Sequence, residues 1–573
     1  MDKTYQRWHL KTIALAFALL CPIAIAQTAP DAGSLLRQTE KGLSQNPFSI
    51  SAPVRVQPTL RAVQPGESTI TVSRFEFAGN TTLTTEQLRP AVDTYLNRAL
   101  SFAELQQAAD AITAAYREAG WVVRAYLPKQ SISQGVVTIQ VTEAVYGKSF
   151  LLGASPIRVA SQRLMDMMAL AQRPGQAMSA RAVDRALLLM DDLPGVSVVG
   201  SMVEGEQPGE TDVMLSATDE PLLNGSVSTD NNGSRSTGIE RLSGNLSVNS
   251  PLNIGDAAAL NVMKTKGSDY LRLAYSLPIG LDGLRGGVQL SQMRYELLGE
   301  FASLSGKGTA DTAGLNMSYP WLRSQFTNIN MALNYDSKKF DNVNSSGPQS
   351  KYKVNAVAAS VNLSDMDNWA GGGANNASLS LTAGRVNLDG SANQTTDSTG
   401  AKTQGVYQKL NLGVSRVQTL TSTLNLYVSA NAQTASKNLD SSEKIYLGGA
   451  SGVRAYPSSE GGGSEGQTLT AELRQKINAQ TTLTGFYDHG HVKAFNDNLK
   501  ADGSGLNSGV GPNSFTLKGY GVSIAWQPEK NMDLKATLAR RIGESPIASP
   551  STGMDGDGTK KINRLWVSAS ISF

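Results

Sequence analysis

From Pro221 to Phe573 the chain keeps switching between apolar and polar residues with a period of two. That period belongs to β-strands, whose successive side chains point to opposite faces. The C-terminus shows it well. Leu565, Val567, Ala569, Ile571 and Phe573 share one face, while Arg564, Trp566, Ser568, Ser570 and Ser572 share the other. Leu271, Leu273, Tyr275 and Leu277 line up in the same way, as do Leu534, Ala536 and Leu538. Sixteen such runs can be read between 223 and 573. Connections after the even-numbered runs are short, about 3 to 12 residues, and most after the odd-numbered ones are long, up to about 33. A membrane-spanning barrel has this asymmetry, with short turns at one end and long loops at the other. The faces opposite the apolar rows are mainly Ser, Thr, Asn, Gln, Lys and Arg. They suit a wet lumen better than the dry interior between two soluble sheets. A sixteen-stranded antiparallel barrel over 221–573 is therefore expected. No run reaches the roughly 20 apolar residues of a membrane helix, which excludes a helical membrane protein.

Residues 69–219 are different. Here one βααββ unit occurs twice, over 69–145 and 146–219. In the first, a strand from Ile70 to Phe77 precedes a helix capped at Thr84 or Thr85. Ser101 and Glu104 form a capping box for a second helix that carries Leu105, Ala108, Ile112 and Tyr116 on one stripe, and Gly120 ends it. Strands over Trp121–Leu127 and Val136–Thr142 close the unit. In the second, helices are expected over Ser161–Ala171 and Ser179–Met190, with strands over Val196–Val203 and Asp212–Thr218.

The N-terminus carries Lys3, Arg7 and Lys11, then an apolar stretch ending in Ala24-Ile25-Ala26. This is the pattern of a secretory signal peptide, expected over 1–26. The single cysteine, Cys21, lies within it, so the mature chain has none and forms no disulfide in an oxidising compartment. A short helix is expected within 27–45, capped from Asp31-Ala-Gly-Ser34, and a proline-punctuated linker over 46–68. With 51 basic and 48 acidic residues the chain is nearly neutral, which argues against a nucleic-acid binder.

These segments resemble the two-partner secretion translocators of Gram-negative outer membranes, the TpsB or haemolysin-activator type. Tyr116-Arg-Glu-Ala-Gly120 and Arg124-Ala-Tyr-Leu-Pro128 are similar to the first POTRA domain of that family, and Asp192-Leu-Pro-Gly-Val196 to a turn of its second. Ser250-Pro-Leu-Asn-Ile-Gly-Asp256 and Tyr275-Ser-Leu-Pro-Ile-Gly280 resemble its first periplasmic barrel turns. The stretch around 447–466 holds Val453-Arg454-Ala455-Tyr456 and is similar to the sixth extracellular loop. Ala455 stands where the family carries Gly, and only Gly tolerates positive φ freely. Phe486, Asp488 and Gly490 match an F-x-D-x-G signature on strand thirteen.

The resemblance implies that the loop folds back into the barrel and that Arg454 meets Asp488 on the inner wall. It also implies that the 27–45 helix plugs the barrel. Strand parity gives the same direction for Asp488, since a carboxylate is costly on the lipid face. Parity puts Tyr487 outside, in the aromatic belt. The terminal Phe573 is expected to serve as a barrel-assembly signal.

No catalytic set is apparent, so no enzyme is expected. His489 and His491 lie two apart on a strand, too few ligands for a metal site. Gly461-Gly-Gly463 lacks the lysine of a nucleotide loop, so no cofactor and no nucleotide is expected. The expected function is export of an unfolded partner exoprotein, captured by the POTRA domains and passed through the barrel. The expected partners are that exoprotein, outer-membrane lipid and, during biogenesis, the barrel-assembly machinery. A POTRA-containing assembly or insertion factor is the alternative; a passive porin fits the large periplasmic zone poorly.

Overall fold

The computed structural model describes residues 29–43, 69–132, 134–207, 209–507, 511–549 and 552–573. The signal peptide expected over 1–26 and the linker expected over 46–68 lie outside them. A first helix, α1, covers Ala32–Leu43. Asp31 caps it, its Oδ1 accepting from Ser34 N–H at 2.9 Å.

The first α/β unit contains β1 (Arg74–Ala78), α2 (Thr85–Val92), α3 (Phe102–Ala119), β2 (Val123–Tyr126) and β3 (Val136–Glu143). Both helices begin in capping boxes, Thr84 with Gln87 and Ser101 with Glu104. Gly120 ends α3 at φ 93°, where a side chain would be strained. Leu105, Ala108, Ala109, Ile112 and Tyr116 bury one face of α3 against Val137, Ile139 and Val141 of the sheet. The second unit repeats the order with β4 (Val145–Leu152), α4 (Ser161–Ala171), α5 (Ala180–Asp191), β5 (Val196–Glu204) and β6 (Glu210–Asp219). In each sheet the third strand of the unit lies centrally.

The barrel strands are β7 (Leu223–Asp230), β8 (Arg241–Asn249), β9 (Ala257–Lys264), β10 (Ser268–Pro278), β11 (Arg285–Glu296), β12 (Lys307–Arg323), β13 (Thr327–Asn344) and β14 (Gly347–Asp367). They continue as β15 (Gly373–Asn387), β16 (Gly405–Thr419), β17 (Leu424–Ala435), β18 (Glu465–Lys476), β19 (Thr481–Lys493), β20 (Ser514–Glu529), β21 (Met532–Arg541) and β22 (Asn563–Ser572). Each pairs antiparallel with the next, and β22 pairs with β7 to close a sixteen-stranded barrel, as expected. Phe573 extends this seam. Its N–H and carbonyl both bond to Gly225, and its ring lies outside, 69% exposed.

The outer loops differ from expectation in one place. Strands seven and eight were expected over 327–337 and 353–363 with about 15 residues between them. Instead β13 and β14 run on to a two-residue turn, Ser345-Ser346. The reason is that the apolar row changes face. At lipid level it lies outside, with Leu333, Tyr335, Val357 and Leu381 exposed. Towards the external end it lies inside, where Met293, Tyr295, Phe340, Tyr352, Val354, Val386 and Tyr407 are buried. Beyond the lipid, Lys339, Asp341 and Lys353 face water on the outer wall. Residues there lose the expected apolar-out pattern and imitate a loop.

That inward apolar row surrounds α1. Ala32, Leu35 and Leu36 pack among these side chains, inside the barrel. Fully burying one such leucine contributes about 2 kcal/mol. At the other end the second α/β unit sits on the turns. Gly195, at φ 95°, is held so close to Ser250 that a Cβ would meet its Cβ at 3.0 Å. Gly255 closes likewise on Leu193. The Asp192–Val196 turn and the Ser250–Asp256 turn therefore form one contact. Arg323 adds a two-bond pair to Asp192, both bonds 2.8 Å.

Candidate functional site in the barrel lumen

The 29-residue connection 436–464 between β17 and β18 folds into the lumen. A short strand pair, Ile445–Tyr446 with Gly462–Gly463, pinches its base. Leu447, Val453, Ala455 and Tyr456 pack against Phe486, Phe515, Leu517 and Ala539 of the wall. Two close approaches set this packing. A Cβ on Gly490 would lie 2.9 Å from Val453, and one on Gly519 only 2.5 Å from the Cβ of Ala455. Ala455 is not among the residues with positive φ, so its replacement of the family glycine causes no backbone strain here.

Arg454 is 6% exposed and Asp488 1%. Arg454 donates from Nε to Asp488 Oδ2 at 2.8 Å and from Nη2 to Oδ1 at 2.7 Å. Its backbone N–H also donates to Asp488 Oδ2, at 3.1 Å. Its third nitrogen, Nη1, donates to Glu472 Oε1 at 2.7 Å. The guanidinium lies 3.5 Å from the Phe486 ring centroid. This set uses every face an arginine has: the fork for one carboxylate, an outer N–H for another, and the plane for an aromatic ring. Lysine has no equivalent geometry.

Strand parity explains the placement. Thr470, Glu472 and Arg474 of β18 face the lumen opposite Asp488, Phe486 and Thr484 of β19. Thr470 donates to Asp488 Oδ1 at 3.1 Å, and Arg474 Nε to Glu472 Oε2 at 2.8 Å. Tyr487, between them in sequence, points outwards and is exposed. Trp566 of β22 donates its indole N–H to the Arg454 carbonyl at 2.8 Å. Tyr456 is fully buried and lies beneath Arg541, 4.5 Å from guanidinium to ring centroid.

Sequence reading assigned Arg454 and Asp488 but not Glu472, Trp566 or Arg541. All three carry polar or aromatic groups on inward positions of their strands, a signal shared with many lumen residues.

A second ionic cluster anchors the base of the same connection, and it too was missed. Glu443, 3% exposed, accepts from Lys338 Nζ of β13 at 3.0 Å and from Lys409 Nζ of β16. The adjoining residues grip α1. Ser441 donates to Asp31 Oδ2 at 2.8 Å, and Lys41 Nζ donates to the Tyr446 carbonyl at 3.2 Å. Ala32 N–H donates to Asn342 Oδ1 of the wall at 2.9 Å. A Cβ on Gly33 would fall 2.5 Å from Ser441 Oγ. The helix and the loop base thus fill the external half of the lumen together.

The remaining candidates hold less chemistry. His491 bonds through Nδ1 to Thr516 at 2.9 Å and through Nε2 to Ser514 at 3.1 Å, on the outer wall. Among the described residues no group of three or more His, Cys, Asp and Glu could hold a metal ion.

Known proteins share this construction. The chain is 25% identical to the heme/hemopexin transporter protein HuxB of Haemophilus influenzae over 549 residues, covering 92% of this chain and 94% of that one. It is 24% identical to the outer membrane transporter CdiB of Dickeya dadantii, covering 80% and 81%. The solved structure of CdiB from Escherichia coli matches with a TM-score of 0.70 at 21% identity, covering 96% of this chain and all of that one. Residues 70–144 match the ShlB-type POTRA domain. Residues 209–511, more than half of the chain, match the haemolysin secretion/activation protein ShlB/FhaC/HecB model. The chain therefore belongs to the ShlB/FhaC/HecB family, outer-membrane β-barrel transporters with periplasmic POTRA domains.

Proposed function

We propose that this chain is the outer-membrane translocator of a two-partner system, exporting one large exoprotein in unfolded form. The observation that carries the reading is the filled lumen. A closed barrel wide enough for a polypeptide is occupied by two segments, α1 and the 447–457 loop tip, each held by side chains rather than by the barrel ladder. A passive porin has no use for such occupants, whereas a protein-conducting pore must stay shut between cargoes. In this reading α1 is the resting plug and the Arg454–Asp488 pair locks the loop.

Cargo capture falls to the POTRA sheets. The outer edge of β4 is covered, because Tyr146 bonds through its N–H and carbonyl to Gln176 and Gly175. The outer edge of β5 is capped only at its start, where Val198 N–H donates to Asp191. From Gly200 onward that edge is open, and Val199 and Met202 beside it are exposed. An extended peptide can add there as a further strand, its backbone supplying affinity. Phe573, next to Gly225 at the seam, is the residue offered to the barrel-assembly machinery during insertion. No nucleotide loop was found in the sequence, and folding of the cargo outside the cell supplies direction.

Deleting the gene tests the reading. The exoprotein should disappear from the medium and accumulate in the periplasm. Intact secretion with failed assembly of other outer-membrane barrels would replace this reading with an assembly factor.

A further inference from the structure

On one stretch of the outer rim, two cations stand without acidic partners among the described residues. Leu538 of β21, Val522 of β20 and Leu565 of β22 form an exposed apolar row at lipid level. One step further out, Tyr487, Tyr520 and Arg540 stand side by side in register on β19, β20 and β21. One step beyond, His489 stands opposite Lys518. Parity directs all of these outwards, since Asp488, Leu517, Gly519 and Ala539 between them are buried inside. Tyrosines of this kind mark the boundary between hydrocarbon and headgroups. Arg540 and Lys518 therefore lie at headgroup height, on the external side.

Several other rim cations have acids beside them. Lys264 pairs with Asp269 at 2.7 Å, Lys351 with Asp341 at 3.4 Å and Lys493 with Glu465 at 3.7 Å. Lys339 stands opposite Asp311. Around Lys518 and Arg540 no acid shares the outward rows of β19 to β21. Among the described residues neither side chain makes an ion pair or a hydrogen bond. Two cations on a diagonal of neighbouring strands, roughly 7–8 Å apart, repel each other and gain nothing from the fold. An anion between them reverses that sign, and lysine and arginine are the natural ligands of phosphate.

We propose that Lys518 and Arg540, flanked by His489 and seated above Tyr487 and Tyr520, form a binding site for the phosphate of an outer-leaflet lipid headgroup. The lipid's acyl chains lie along the Val522, Leu538 and Leu565 row. The site rests on the outer-membrane location of the family and is independent of the secretion reading.

Native mass spectrometry of the full-length barrel tests it, with a bis-phosphorylated glycolipid and its dephosphorylated counterpart as probes. The wild-type chain should retain the phosphorylated lipid. The double variant Lys518→Ala/Arg540→Ala should retain it roughly tenfold less. The charge-conserving exchange Lys518→Arg/Arg540→Lys should keep binding, and Lys264→Ala, on a rim cation with its own partner, should leave it unchanged. Three results would overturn the proposal: equal retention by the double variant, equal retention of the dephosphorylated lipid, or displacement by inorganic phosphate alone, which would mean a free-anion site.

Discussion

The two ends of the inserted loop are anchored by ionic clusters of opposite build. At the tip, one cation on the loop, Arg454, meets two carboxylates on the wall, Asp488 and Glu472. At the base, one carboxylate on the loop, Glu443, meets two cations on the wall, Lys338 and Lys409. The ion pairs of the tip join β18, β19 and the loop, Trp566 of β22 bonds the Arg454 carbonyl, and among the described residues none of these bonds reaches α1. The base cluster adjoins the Ser441 contact with Asp31 and the close approach of Gly33. A helix leaving the lumen therefore strips neighbours from the base and none from the tip. Under the proposed function, the difference separates unplugging from loop release. A hydrated Arg454–Asp488 pair would contribute under about 1 kcal/mol, but burial makes the loss of one partner far more costly, about 3–5 kcal/mol.

The largest effect is expected for Arg454→Ala. It leaves Asp488 buried without its cation and Glu472 with Arg474 alone, at about 3–5 kcal/mol. The loop tip should leave its site and secretion should fall or vanish, with the barrel still inserted and heat-modifiable on gels. Unchanged secretion would reduce the tip cluster to an anchor. Arg454→Lys should rescue only in part, because lysine cannot bridge both carboxylates and the Phe486 ring.

Glu443→Gln leaves Lys409 without its carboxylate and Lys338 with the charge of Glu40 on α1 alone, at about 3 kcal/mol. Because the base adjoins α1, this variant should raise the conductance of the reconstituted pore. A spin-label distance across the tip should stay at its wild-type value. Movement of the tip label would show that the two anchors act as one.

Gly33→Ala sharpens the same point with opposing terms. Alanine favours the helix by about 1 kcal/mol. The added Cβ strikes Ser441 Oγ and the Ser442 backbone, an overpacking of about 1–3 kcal/mol. The clash should win, loosening α1 and raising conductance modestly. A quieter pore would show that the Ser441 segment yields easily.

The smallest effect lies outside the barrel and serves as a control. Burial raises the pKa of Glu143, but hydrogen bonds from Thr81, Thr82 and Tyr116 outweigh it and hold the carboxyl at about 2, below its ordinary value near 4.5. A depressed carboxyl contributes stability that is present above about 4.5 and lost as pH falls towards 2. For this half-exposed group the contribution is about 1 kcal/mol after solvent screening. Hydrogen exchange in α3 should accelerate over that window, and Glu143→Gln should flatten the dependence.

Much of this was legible beforehand. Period-two alternation specified the barrel and its strand number, and Thr84, Ser101 and Gly120 marked helix ends through backbone groups a few residues away. Arg454 and Asp488 were legible through their motifs. Glu472, Glu443, Lys338 and Lys409 were not. Glu472, Lys338 and Lys409 are charged residues at inward strand positions, and parity says only that such a residue meets the lumen, while Glu443 lies in the loop, where parity says nothing. Which of the many inward charges meet depends on how far the loop descends, and that is decided by Gly490 against Val453 and Gly519 against Ala455.

The sequence by itself determined which residues face lipid, because the pleat assigns sides locally and lipid rejects charge at every position. It also determined that α1 and the two helices of the first POTRA unit would begin at capping residues. Only the tertiary structure decided where the apolar row crosses from the outer to the inner wall, and so where α1 finds a core. That crossing depends on what occupies the lumen at each height, and the occupants arrive from distant segments, Asp31 beside Ser441 across 410 positions and Arg454 beside Asp488 across 34.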